Sequence, residues 1–190
     1  LAEMGHEVSF VHFPEGERIR ETLRKNRVER VQGRVEKTAN LNLITPKTLG
    51  GSILGRLLHV VAFYFQFAKI LREVKPDIVY SYSVPTSGWQ ALIACKKRNI
   101  PYLFRALDAS TVIRKTIFSR LVKAAEKYIY RNADWVSTNN PAMLEHVTQF
   151  GASFERSSVE YPPVDFEHFD SKVETRDRLR SELGLAPGSR

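Results

Sequence analysis

Six short runs rich in β-branched and aromatic residues punctuate the chain: residues 7–13 (EVSFVHF), 40–44 (NLNLI), 77–84 (DIVYSYSV), 101–107 (PYLFRAL), 135–139 (WVSTN) and 158–161 (SVEY). Their interiors are mostly apolar rather than strictly alternating, the pattern of strands covered on both faces. Helical stretches separate them, near residues 16–26, 53–74, 88–97, 117–132 and 142–150. Strands alternating with helices predict an α/β fold: a doubly wound, mainly parallel sheet with helices on both faces.

Two helices stand out. The stretch 53–74 is apolar around most of its circumference, with Arg56, His59, Gln66 and Lys69 on the remaining side, which predicts burial against a sheet on one flank and a second element on the other. The stretch 114–131 is amphipathic. At 100° per residue, Arg120, Lys123, Lys127 and Arg131 share one stripe, and Ile117, Phe118, Leu121, Ala125, Tyr128 and Ile129 are expected on an opposite, apolar face. After Tyr161 the adjacent Pro162 and Pro163 stop regular structure and stiffen the chain. Residues 1–161 therefore read as one domain, and 162–190 as a linker with a charged helical stretch near 175–183.

Composition narrows the class. The chain has 190 residues, 43% hydrophobic and 26% charged, as in ordinary globular proteins. A single Cys closes no internal disulfide and offers no thiolate set for zinc, so the default setting is reducing and cytoplasmic. Cys95 reads as a buried small hydrophobe. The longest uncharged stretch in the apolar region, residues 57–68, is shorter than the roughly 20 residues a membrane span needs. The chain opens on Leu1 without a signal-peptide pattern and reads as a fragment. Ten Lys and Arg fall between Lys96 and Arg131 against two acidic residues, so this segment carries the whole net charge of +8. A local positive field suits phosphates or an anionic membrane face. Nucleic acid is disfavoured, because no recognition-helix or aromatic RNP motif accompanies the patch.

In open α/β sheets ligands bind beyond the carboxyl ends of the strands. That rule selects His12 and Phe13; Tyr82, Ser83, Pro85 and Thr86; Asp108, Ala109 and Ser110; Asn139 and Asn140; and Glu160 and Tyr161. Residues 83–88 (SVPTSG) place hydroxyls at a helix start, where free N–H groups accept phosphate or sugar oxygens, or where Thr86 or Ser87 simply caps the helix. Asp108 is read as a carboxylate toward a sugar hydroxyl, as a base, or as a cap. No Gly-rich dinucleotide fingerprint, P-loop, nucleophile elbow or metal-spaced histidines are present.

Taken in order, the segments resemble the N-terminal half of GT-B glycosyltransferases, particularly the family-4 group of retaining sugar transferases. Residues 1–10 (LAEMGHEVSF) look like the end of that family's first helix and its second strand. Residues 75–82 (KPDIVYSY) look like its "K-P-D" entry to a central strand. Residues 132–151 (NADWVSTNNPAMLEHVTQFG) are similar to its "A-D" strand and following helix. Residues 159–169 (VEYPPVDFEHF) look like the passage that closes the domain, and 180–190 (RSELGLAPGSR) like the helix and turn before the second domain.

The resemblance implies a Rossmann-like, acceptor-side domain whose first strand precedes Leu1 and whose donor-binding partner domain follows Arg190. The implied activity is hexosyl transfer from a nucleotide-sugar donor to a glycan or lipid-linked acceptor, without a metal or other cofactor and inactive in this chain alone. A site at the cytoplasmic side of a membrane, with the basic stripe against anionic lipid, accompanies that reading. Asp108 is the implied catalytic carboxylate, and His12, Tyr82, Ser83, Thr86, Arg105, Asn139 and Tyr161 are the implied substrate-binding residues. Where many members have His before the Asp, this chain has Leu107, while Arg105 offers a cation nearby. The alternative is a non-catalytic α/β module that binds a sugar or nucleotide.

Overall fold

The computed structural model describes residues 1–12, 27–32, 40–46, 53–82, 85–108, 119–163 and 173–185. Strands β1 (Val8–Val11), β2 (Arg27–Gln32) and β3 (Asn40–Thr45) form one sheet in the order β1-β3-β2. Strands β4 (Val79–Tyr82), β5 (Tyr102–Ala106), β6 (Trp135–Thr138) and β7 (Ser157–Val159) form a second in sequence order, parallel throughout. Helices α1 (Ile53–Val74), α2 (Pro85–Lys96), α3 (Ser119–Asn132) and α4 (Pro141–Gln149) connect and cover them. The predicted α/β class and mainly parallel sheet hold, and the elements fall within a few residues of the patterned runs. The helical stretch expected near 16–26 lies outside the described residues.

Strand β2 is absent from the sequence reading, for a physical reason. Its residues RVERVQ place Val28 and Val31 three apart, on opposite faces, so no apolar alternation marks it. Among the described strands it lies at the end of the sheet, antiparallel to β3, and charged side chains suit such a position.

The core lies between the second sheet and its helices. Tyr102, Phe104, Ala106 and Val136 present their side chains to Leu92 and Cys95 of α2, Ile129 and Tyr130 of α3, and Met143 and Val147 of α4. Phe63, Phe67 and Leu71 extend this cluster along α1 at helical spacing. Helix α2 packs so closely that a side chain at Gly88 would press on its neighbours. A Cβ there would sit 3.1 Å from Ile129 Cδ1 and 3.3 Å from the Tyr102 hydroxyl, which donates to the Gly88 carbonyl at 3.0 Å. Burial pushes the Cys95 thiol up to about 12, so it packs as a hydrophobe and does not ionise.

The "A-D" motif acquires a structural role. Ala133 is buried, and Asp134 Oδ2 accepts the Tyr102 N–H at 2.8 Å while its own N–H donates to the Tyr102 carbonyl at 3.0 Å, stitching the start of β5 to β6. Gly151 closes α4 at φ +108°, where a Cβ would also strike Arg131 Nε at 2.7 Å.

Helix α3 departs from the expected two-faced pattern. Ile129 is buried and Ala125 half-buried, but Leu121 and Tyr128 are 59% and 40% exposed, while Glu126 and Tyr130 are buried in their place; Ile117 and Phe118 lie outside the described residues. The helix packs on a face rotated away from the one its apolar residues centre on, because α2 and β5 meet it through Gly88 and Phe104 on that side.

The chain divides into two compact units, Leu1–Glu160 and Tyr161–Arg190. In the second, helix α5 (Val173–Glu182) ends in a turn with Gly184 at φ +66°, closed by the Leu185 N–H on the Arg180 carbonyl at 2.9 Å.

Candidate functional site at the carboxyl edge of the strands

Parallel strands end together, so β4, β5 and β6 bring residues distant in sequence to one rim. At this rim, Tyr82 closes β4, Leu107 and Asp108 follow β5, and Asn139 and Asn140 follow β6. Asp108 is exposed to solvent. A chain of amide bonds sets the loop beside it. Asn140 caps α4 through its Oδ1, which accepts the Met143 N–H at 2.8 Å. That leaves its Nδ2 to donate to Asn139 Oδ1 at 2.9 Å, and Asn139 Nδ2 then donates to the Leu107 carbonyl at 3.0 Å. Each amide's orientation follows from the next, because only one end of each can donate. The helix cap thus fixes the backbone that presents Asp108.

Tyr82 is half exposed and packs edge-on against Tyr80, ring centroids 5.0 Å apart. Partial burial first, and Tyr80 next, raise its pKa, so the phenol stays a neutral donor at physiological pH. On the other sheet His12 stands just past β1, its N–H on the Ile44 carbonyl at 3.1 Å and its Nε2 sharing a 3.0 Å hydrogen bond with Thr45 Oγ1. Thr86 falls in the first turn of α2, and Ser83 lies outside the described residues. Tyr161 is exposed and begins the second unit.

Arg105 occupies the sheet face opposite the core, in register with Tyr82 on β4 and Ser137 on β6. It is buried, and its Nη1 donates to Glu160 Oε2 at 2.8 Å and its Nη2 to the Glu160 carbonyl at 2.8 Å. Tyr80 and Ser137 complete this cluster: the two hydroxyls share a 2.9 Å bond, and both lie within 3.5 Å of Arg105 Nη1. The sequence reading missed Tyr80 and Ser137. Alternation along β4 and β6 places them on the polar face, but only strand register reveals that they meet Arg105.

The proposed membrane-facing residues Arg120, Lys123 and Arg131 are exposed and Lys127 is half-buried. The Lys123 and Lys127 ammonium groups also stand over the Phe150 ring, 5.5 and 5.8 Å from its centroid. No described helix is long and apolar enough to cross a membrane. Among the described residues, no three His, Cys, Asp or Glu side chains cluster as a metal site would require.

Comparison with known proteins agrees with this architecture. HepE of Anabaena, solved in complex with UDP, superposes with a TM-score of 0.53 at 20% identity, over 76% of this chain and 36% of its own. A further structure of the same protein holds UDP-glucose, with a TM-score of 0.52. A sucrose-phosphate synthase structure from Thermosynechococcus elongatus gives 0.54 at 11% identity, over 92% of this chain and 98% of its own. The chain thus spans about a third of the length of HepE. None of the curated proteins matches it. Residues 1–168 match Glycosyltransferase Family 4, and the chain belongs to that family.

Proposed function

We propose that this chain is the acceptor-side half of a retaining glycosyltransferase that moves a hexose from a nucleotide sugar to a glycan or lipid-linked acceptor. The observation that carries the reading is the convergence of Tyr82, Asp108 and Asn139 at one carboxyl rim, in a chain that matches the family over residues 1–168. Bound UDP and UDP-glucose in the HepE structures support a nucleotide-sugar donor. His12, Tyr82, Ser83, Thr86, Asn139 and Tyr161 are assigned to substrate and Asp108 to the chemistry. Arg105 belongs to the same proposed set, with both its terminal nitrogens also reaching Glu160.

The strand preceding Leu1 is proposed to pair with β1 or β4, which among the described strands keep one neighbour each, β3 and β5 respectively. The donor-binding domain is proposed to follow Arg190. Without it the 190-residue chain should not turn over. The intact protein should release a nucleoside diphosphate from one of a panel of NDP-sugars when acceptor is present, in buffer containing EDTA. Retention is read from the anomeric signal of the product by NMR. Donor binding without release, for every acceptor tried, would favour the non-catalytic binding module.

A cytoplasmic location at the inner membrane face is part of the same proposal. The basic stripe on α3 lies beside exposed Leu121, Ala124 and Tyr128, a charged ridge next to an apolar one. Each basic residue at an anionic surface contributes about 1 kcal/mol, so reversing Arg120 and Lys123 to Glu removes at least about 2 kcal/mol, roughly 30-fold in partitioning. Co-sedimentation with phosphatidylserine-containing and neutral vesicles checks this. Equal pelleting with both, or no response to the reversals, would remove the membrane role and leave the transferase reading intact.

A further inference from the structure

The polar cluster on the sheet face opposite the core has one member that also touches the rim. Tyr80 and Tyr82 lie two residues apart on β4 and so share a face. Tyr82 is in register with Arg105, and Arg105 with Ser137. Tyr80 therefore stands one step below the residue that closes the strand, with the cluster on its other side.

The Tyr80 hydroxyl is held from three directions. It donates to Glu160 Oε2 at 3.3 Å, accepts from Arg105 Nη1 at 3.3 Å and shares a 2.9 Å bond with Ser137 Oγ. A phenol has one proton to give and two lone pairs to receive. With the proton on Glu160, the Ser137 hydroxyl donates to Tyr80, and every position on the phenol oxygen is filled. Glu160 is itself fixed: its N–H donates to the Thr138 carbonyl at 2.7 Å, its carbonyl accepts from Arg105 Nη2 at 2.8 Å, and its carboxylate also accepts from Arg105 Nη1 at 2.8 Å. Burial does not demand such a hold, because Tyr80 is 37% exposed and water could satisfy its hydroxyl.

Tyr82 has no comparable brace. It is 49% exposed, and its hydroxyl has no hydrogen-bond partner among the described residues. Its ring rests on Tyr80 instead: the planes cross at 88° with centroids 5.0 Å apart, an edge-to-face pair whose attraction depends on the angle between the rings.

We infer that Tyr80 is a positioning residue for the candidate site: Ser137, Arg105 and Glu160 fix its ring, and its ring fixes Tyr82 at the rim. The inference rests on the reading of Tyr82 as a substrate contact and deepens it, since Tyr80 acts through Tyr82 and not on substrate. A side chain held in place before the substrate arrives loses less freedom on binding. The brace therefore acts on substrate affinity more than on the chemical step.

The test uses the intact protein with 3-fluorotyrosine in place of Tyr82. Tyr80→Phe keeps the neighbouring ring and its ring current and removes only the hydroxyl, so a change in the fluorine NMR signal reports a change in ring geometry. This variant should shift or broaden the signal, raise the acceptor KM roughly tenfold, and leave kcat within about twofold and the melting temperature nearly unchanged. Ser137→Ala, which loses one of the three holds, should act in the same direction by less. In a Tyr82→Ala background, Tyr80→Phe should change KM by less than about twofold, because the two residues act in series. An unmoved fluorine signal in Tyr80→Phe would overturn the inference, and so would a KM rise of equal size with and without the Tyr82 side chain. A fall in kcat and melting temperature together would overturn it as well, marking a general packing defect. Should Tyr80→Phe fail to fold, Ser137→Ala decides by the same readings. Should the intact protein transfer no sugar, the transferase reading fails by itself, and the fluorine signal decides whether Tyr80 orients Tyr82.

Discussion

Phe104→Ala is expected to cost the chain about 3–5 kcal/mol of folding stability, the range for removing a fully buried aromatic side chain. Phe104 is 2% exposed and lies on β5, which is paired on both sides. Its ring meets Tyr130 edge-on, centroids 5.9 Å apart, and lies 3.4 Å from where a Cβ on Gly88 would sit, so α2 and α3 both rest on it. Neither helix can close the gap easily, since each is held by other contacts: α2 by the Tyr102 hydroxyl on Gly88, α3 by Ile129 in the same cluster. Against a total of about 5–15 kcal/mol for a typical domain, the loss is about a fifth or more. Leu121→Ala on the exposed side of α3 is the control and should change stability by less than about 0.5 kcal/mol. Urea titration of both variants measures this; a Phe104 loss below 1 kcal/mol would mean that the core does not centre on β5.

Asp108→Ala in the intact protein should lower turnover about 100-fold or more if its carboxylate handles a proton in the reaction. The substitution should leave the melting temperature nearly unchanged, because Asp108 is exposed on a loop. Tyr82→Ala should lower turnover less, acting mainly on KM, since it removes a half-exposed contact surface and one hydroxyl. The pair separates chemistry from binding. If both variants turn over like the parent while still folded, the reacting groups lie elsewhere and the binding-module reading gains.

Some of the molecule was legible in local pattern. Helix α1 spans residues 53–74 as its apolar density predicts; β4, β5 and β6 lie within the apolar runs that mark them, and β7 starts one residue before its run. Candidates at the carboxyl ends were also readable, because parallel strands in an α/β sheet put their ends on one rim whatever the register. What failed were statements needing a partner. Which side of α3 packs is decided by where α2 and β5 approach, and Leu121 and Tyr128 stay outside although their side chains are apolar.

The sequence by itself determined element type and order, since these follow from periodicity and turn residues within a short window. Tertiary structure alone decided which groups Arg105 meets. Its partners stand at Tyr80, Ser137 and Glu160, between 25 and 55 residues away, and they meet because β4 to β7 align in one register and Ser137 is small enough for a guanidinium to pass over. A strand position tells only which face a side chain takes. The register of the neighbouring strands, not the strand position itself, decides which groups the Arg105 guanidinium meets.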